Sequence, residues 1–192
     1  MKSLTLRSSV ALACALSLAA CGGGSGNLQL YGTVVGQTMA GLVLINKSNG
    51  EKLAVSPGTS TFYFTKLLAN DENYDVAVDT NPDNAVCTVT SGQGKTGSFS
   101  VGSVFVSCIT KTHALGGTIT GHLDTNGLVL VNGADKVTVN AGATSFDFAP
   151  VGEGSPYGVT ILTQPLPRTC RVIGGVGTMA KADIKNIQVD CN

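Results

Sequence analysis

One feature constrains this chain more than any other: it contains the same pattern twice. Cys87 and Cys108 stand 21 residues apart, and so do Cys170 and Cys191. A Gly-rich stretch lies between the cysteines of each pair, and the second cysteine closes an alternating apolar run. The match extends well beyond the cysteines. Gly32-Thr33-Val34-Val35-Gly36 aligns with Gly117-Thr118-Ile119-Thr120-Gly121, and Gly41-Leu42-Val43-Leu44-Ile45-Asn46 with Gly127-Leu128-Val129-Leu130-Val131-Asn132. Lys52 to Val55 aligns with Lys136 to Val139, Phe62-Tyr63-Phe64 with Phe146-Asp147-Phe148, and Tyr74 to Val78 with Tyr157 to Ile161. The offset drifts only between 83 and 86 residues, and each change falls between matched blocks, where loops belong.

Comparison of the copies assigns an inward face to each strand. Phe62 and Phe64 stay Phe while Tyr63 becomes Asp147, so position 63 faces water and its neighbours face a core. Tyr74, Val76 and Val78 stay apolar while Asp75 and Ala77 become Gly158 and Thr160. Val104, Val106 and Cys108 match Ile187, Val189 and Cys191, so the last cysteine of each copy points inward. Leu42 to Ile45 and Leu128 to Val131 are apolar on both faces, the mark of a central strand. Beyond the N-terminus no window carries a 3.6-residue period, and Gly, Asn and Ser-Pro punctuation recurs at sandwich spacing. The expected fold is all-β: two tandem β-sandwich domains of about seven strands each, residues 28–110 and 113–192, joined at 111–112.

The N-terminus reads as an address. Residues 1–20 hold a basic head with Lys2 and Arg7, then an apolar run from Val10 to Ala20 that is too short to span a bilayer. Leu18-Ala19-Ala20-Cys21 resembles the lipobox of bacterial lipoproteins. That resemblance implies cleavage before Cys21, acylation of Cys21 and anchoring in a membrane through the lipid. In the enterobacterial sorting scheme Gly22, where inner-membrane lipoproteins carry Asp, points to the outer membrane. Residues 21–27 then form a lipidated Cys with a Gly-rich flexible tether.

The order Gly-Thr-Val, Gly-Leu-Val-Leu, Phe-x-Phe, Tyr-x-Val-x-Val resembles the prealbumin-like modules of carboxypeptidase regulatory domains and Cna-B repeats. It is also similar to uncharacterised tandem repeats of proteobacterial lipoproteins that pair this pattern with a late Cys…Cys. Some Cna-B domains carry a Lys–Asn isopeptide bond. Neither copy here has a Lys in its first strand, so no such bond is carried over.

Four cysteines remain once Cys14 and Cys21 are set aside, and four allow three pairings. Self-sufficient repeats select Cys87–Cys108 and Cys170–Cys191, and an export signal implies an oxidising compartment. A Cys₄ metal site would need CxxC spacing, which is absent.

Little else in the chain resembles chemistry. Gly92-Gln93-Gly94-Lys95-Thr96-Gly97 matches G-x-G-x-x-G, and Gly94-Lys95-Thr96 imitates the end of a Walker loop. A dinucleotide site needs a helix after the glycines, and the Cys108 strand leaves no room for one. The second copy has Gly175-Val176-Gly177-Thr178 without the Lys. A Gly-rich hairpin inside each cysteine loop is the expectation. His113 and His122 are the only histidines and lack a partner constellation, and H-E-x-x-H and G-x-S-x-G are absent. The acidic stretches Asp71 to Asp75 and Asp79 to Asn84 lack the closing Glu of an EF-hand. Without the leader, 10 basic face 12 acidic side chains, unclustered, which excludes nucleic acid.

The sequence therefore predicts a monomeric, lipid-anchored envelope protein without catalysis, cofactor or metal. It would act as a structural or protein-interaction module for an envelope or host partner. The alternative is a small-ligand or glycan-binding lipoprotein with an inter-domain or loop site, to which only Tyr31, Tyr63, Phe105 and Tyr157 could contribute; a hidden hydrolase ranks last. Replacement of Cys21 by Ser is expected to abolish incorporation of a labelled fatty acid and to move the protein from the membrane to the soluble fraction; an unaltered membrane fraction would refute the anchor.

Overall fold

The computed structural model describes residues 26–192, all in strands and their connections; the leader, the lipobox and Cys21 lie outside the described residues. The first repeat contains β1 (Leu30–Val35), β2 (Leu42–Asn46), β3 (Glu51–Val55), β4 (Thr61–Tyr63), β5 (Asn73–Thr80), β6 (Ala85–Thr90), β7 (Gln93–Lys95) and β8 (Val101–Thr110). The second repeats it in order as β9 (Thr112–Gly121), β10 (Leu128–Asn132), β11 (Asp135–Val139), β12 (Ser145–Gly152), β13 (Pro156–Thr163), β14 (Cys170–Ile173), β15 (Val176–Thr178) and β16 (Ile184–Cys191). Each repeat folds two four-stranded sheets: β4-β1-β8-β6 with β3-β2-β5-β7, and β12-β9-β16-β14 with β11-β10-β13-β15. The strand orders of the two copies are equivalent element for element.

Two strands in the middle of each first sheet are parallel. β1 pairs with β8, and β9 with β16, so the first and last strands of a repeat lie side by side. Glycine permits this close approach. A side chain at Gly32 or Gly117 would run into the carbonyl of Val104 or Ile187 on the neighbouring strand.

The alternation read from the sequence is the packing of the core. Phe62, Phe64, Tyr74, Val76, Val104, Val106 and Cys108 are buried with Leu30, Leu42 and Leu44. Phe146, Phe148, Val159, Ile187, Val189 and Cys191 are buried with Leu115, Leu128 and Leu130. Val78, Tyr157 and Ile161 pack against these clusters while partly exposed. Each side chain of this size contributes about 1.5–3 kcal/mol when fully buried. The paired phenylalanines meet edge to face in both copies, at centroid separations of 6.1 and 5.9 Å. Asn46 is fully buried, and its Oδ1 accepts from the Asp75 amide at 3.0 Å; Asn132 repeats the contact with the Gly158 amide at 2.9 Å.

Both expected disulfides are present. Cys87 lies directly opposite Cys108 on β6 and β8, and Cys170 opposite Cys191 on β14 and β16, with Cα separations of 3.9 and 4.0 Å. A side-chain carbonyl holds the start of each cystine strand: the amides of Cys87 and Cys170 donate to Asn81 Oδ1 and Gln164 Oε1, each at 2.7 Å.

Two expectations change. Each repeat has eight strands rather than about seven, and the Gly-rich stretch is not a hairpin. After Thr90 the chain turns at Ser91, whose φ is 53°, and leaves the cystine sheet. β7 then pairs with β5 in the other sheet, so the short link that resembled a hairpin turn is a crossing between layers. Gly174, at φ 71°, makes the same turn in the second copy, and β15 pairs with β13. The glycines after the crossing serve packing. Gly94 lies opposite Tyr74, and Gly177 opposite Tyr157. A Cβ at either glycine would sit 2.5 or 2.6 Å from the tyrosine hydroxyl oxygen, so the bare backbone seats the ring.

Replacing Cys87 and Cys108 together by Ala is expected to lower unfolding stability by about 3 kcal/mol, the value for closing a loop of this length. Denaturant titration of the oxidised and variant proteins measures it, and an unchanged midpoint would show that the cystine contributes nothing.

Candidate functional site

Strand alternation sends every second residue of the β4-β1-β8-β6 sheet away from the core. These residues form a continuous outer face. Tyr63 on β4 lies opposite Tyr31 on β1, and Thr61 opposite Thr33. Thr33 in turn lies beside Phe105 on β8, and Phe105 opposite Thr90 on β6. Val35, Ser107, Thr88, Val86 and Ile109 continue the face. Tyr63 is 55% exposed and Phe105 38%. None of these residues carries a charge.

The two tyrosines pair at one corner of this surface, where the edge strand β4 ends beside the start of β1. Their ring centroids are 5.5 Å apart and their planes 20° from parallel. Tyr31 lies over Gly102 of β8, where any side chain would collide with the ring. Phe99, the most exposed large apolar side chain, stands on the connection leading into β8. Ser100 of the same connection ties to β1, its Oγ accepting from the Gln29 amide at 2.9 Å.

The corresponding face of the second repeat has the opposite character. Tyr31, Tyr63 and Phe105 are replaced by Gly116, Asp147 and Gln188. Ser107 and Thr88 become Asp190 and Arg171, which form an ion pair at 3.0 Å. Lys185 Nζ donates to Asp147 Oδ1. The cores of the copies match while these faces diverge.

Three of the four aromatic residues singled out in the sequence, Tyr31, Tyr63 and Phe105, thus meet on one sheet face. Tyr157 does not join them; it packs on Gly177 against the second core. Phe99 escaped the sequence reading because it lies outside the strands whose alternation could be compared. Its counterpart, Ala182, was the available signal.

The junction is built differently. Only Lys111 separates β8 from β9, and Thr112, read from the sequence as junction, begins β9. The Lys111 amide donates to the Asn84 carbonyl of the first repeat, and its carbonyl accepts from the Glu153 amide of the second, both at 2.8 Å. Lys181 Nζ donates to Asp83 Oδ2 across the junction at 3.0 Å. This hydrogen bond and, behind it, the positive charge of Lys181 hold the Asp83 carboxyl below its ordinary value, and Lys181 is raised reciprocally. Their mutual preference is present at neutral pH and fades as acid protonates Asp83. Arg168 acts likewise on Asp124 through contacts of 3.0 and 2.7 Å. His113 reaches Glu153 at 3.5 Å. A cavity of about 140 Å³ lies here, lined by Thr38, Met39, Asn84, Thr110, Glu153, Gly154 and Ser155. It is smaller than a typical ligand pocket, and none of the candidate aromatics lines it.

The acidic stretches are consumed internally. Glu72 Oε2 accepts from the Ala69 amide at 2.6 Å, Asp79 pairs with Lys52 at 2.9 Å, and Asp71 with Lys95 at 3.5 Å. Among the described residues no three His, Cys, Asp or Glu side chains converge as metal ligands. His122 lines an open groove beside Leu123 and Asp124, away from His113.

Two solved structures are similar to this chain over most of its length. A C-terminal fragment of the pilus adhesin SpaC from Lactobacillus rhamnosus GG shares 10% identity over 85% of this chain and 96% of that chain, with a TM-score of 0.40. The major pilin T-13 of Streptococcus pyogenes shares 12% identity over the same shares, with a TM-score of 0.35. No family model and no curated protein matches the chain. Similarities this remote assign no function.

The outer face is dispensable for folding in a way the inner one is not. Phe64→Ala is expected to cost about 3–5 kcal/mol. Tyr63→Ala, which loses an exposed ring and one stacking contact, is expected to cost about 1 kcal/mol or less. Chemical denaturation of both variants measures the contrast, and equal losses would show that the face is part of the structural core.

Proposed function

We propose that this chain is a lipid-anchored, non-catalytic cell-envelope protein whose first repeat carries an interaction surface for an envelope component. The observation that carries this reading is the divergence of two otherwise equivalent sheet faces. Duplicated domains with the same core need the same buried residues. An exposed aromatic face free of charge is costly to keep in water, and the second repeat, with Asp147, Arg171 and Asp190, demonstrates that the fold does not require it.

The leader and Cys21 support the anchoring half of the proposal. Acyl chains on Cys21 would hold the chain at a membrane, the outer membrane by the nature of Gly22. Gly22 to Asn27 would serve as a six-residue tether, with a reach of about 20 Å if extended. The first repeat would then be the membrane-proximal one. Its aromatic face would work close to the lipid surface, within reach of components fixed in the same envelope. The second repeat, with its ion-paired face, would project farther out.

A photo-crosslinking residue placed at position 33 or, separately, at the equivalent position 118 tests this reading in intact envelopes. Position 33 is expected to yield a discrete crosslinked species and position 118 none. Equal yields from the two repeats would overturn the assignment of the surface to the first.

A further inference from the structure

We infer that the outer face of the first repeat binds a neutral polysaccharide, with Tyr31 and Tyr63 as the stacking platform. This rests on the reading of that face as the interaction surface. It adds the chemistry of the occupant.

A neutral sugar ring presents C–H groups on its faces and hydroxyls around its rim. A surface that recognises it needs exposed ring planes, flanked by groups that exchange hydrogen bonds without charge. Tyr31 and Tyr63 stack on each other, nearly parallel with centroids 5.5 Å apart, and Tyr63, 55% exposed, offers the free plane of the pair. The Tyr31 ring is seated on Gly102, so its orientation is set before any ligand arrives. Phe105 lies on the next strand over from Tyr31. From β4 to β8 the face spans two strand spacings, about 10 Å, longer than one sugar ring. The polar groups beside the rings include the hydroxyls of Thr33 and Thr61, which lie opposite each other on β1 and β4.

The same inventory argues against the other occupants. A nucleic acid, a phosphate or an acidic sugar would find no positive partner on this face. A second copy of the sheet, packed face to face, would bury these hydroxyls against one another and against aromatic rings. Buried hydroxyls without partners are unfavourable, whereas a polysaccharide brings a hydroxyl to meet each of them. The second repeat marks the contrast: Gly116, Asp147 and Gln188 provide neither ring nor uncharged surface.

Cellohexaose and chitohexaose, two neutral oligosaccharides, are the probes. The full mature chain is titrated by calorimetry and by tyrosine fluorescence, which no Trp masks and to which Tyr74 and Tyr157 add a constant signal from the cores. Saturable binding to at least one probe is expected. Tyr31→Ala with Tyr63→Ala should weaken it about tenfold or more, while Gln188→Ala on the second repeat leaves it unchanged. Tyr63→Asp, which installs the residue the second repeat tolerates at this place, should abolish binding while lowering Tm by no more than Tyr63→Ala does, and so separates a lost site from a lost fold.

Failure of the wild type to bind either probe overturns the polysaccharide assignment. If position 33 still crosslinks in envelopes in that case, the interaction surface stands and only its occupant is wrong. Undiminished binding by the double variant would place the sugar elsewhere and also overturn the inference. So would a sedimentation measurement showing a dimer that Tyr63→Asp dissociates, because the occupant would then be a second copy.

Discussion

Each repeat depends on one cross-strand contact, the cystine that joins neighbouring strands from inside the core. A domain of about 80 residues buries a smaller fraction of its surface than a large one, and its hydrophobic core alone leaves little margin over the entropy of ordering the chain. The topology makes this harder. The first strand must find the last, so the central pairing of each sheet is between residues far apart in sequence. Such contacts are made only after the intervening chain has been closed into a loop. Cys87–Cys108 and Cys170–Cys191 fix the last strand against its neighbour in register. That leaves the first strand a prepared edge on which to pair.

Much of this was legible because the sequence holds two solutions to one problem. Residues that stay apolar in both copies, such as Phe62 and Phe146, are the buried ones, and residues that change, such as Tyr63 and Asp147, are outside. The crossing at Ser91 was not legible. A two-residue link between short strands reads as a hairpin turn, and nothing in Gly92-Gln93-Gly94 says which sheet receives it. The answer lies in a long-range partnership, Tyr74 over Gly94, that no local pattern carries. Three-residue strands with glycine at the centre also lack the apolar alternation by which strands are counted, hence eight where about seven were expected.

The aromatic surface was half visible. Tyr31, Tyr63 and Phe105 stood out as the aromatics available for binding, but their meeting on one face required the register of β4, β1 and β8. Tyr157 was grouped with them on residue type alone and belongs to packing. Divergence between the copies is the better guide. A position that is aromatic in one repeat and Gly, Asp or Gln in the other is free of the fold and open to function. The junction shows the reverse. Lys111 is held by backbone bonds to both repeats, which depend on geometry rather than on side-chain type and therefore leave no mark in the sequence.

The parallel pairing of β1 with β8, followed by β9 with β16, has a mechanical consequence. A chain tethered at its N-terminus and held farther along is under tension. Pulling on the two ends of a repeat drags its first and last strands past each other along their length. The hydrogen bonds between them are then loaded together, in shear, rather than opened one after another as in peeling. Lys111 passes the load from the last strand of one repeat to the first strand of the next with almost no slack. The cystine of each repeat ties the loaded strand to a neighbour that the force does not reach directly. Each repeat thus resists extension best along the line that joins its first strand to its last.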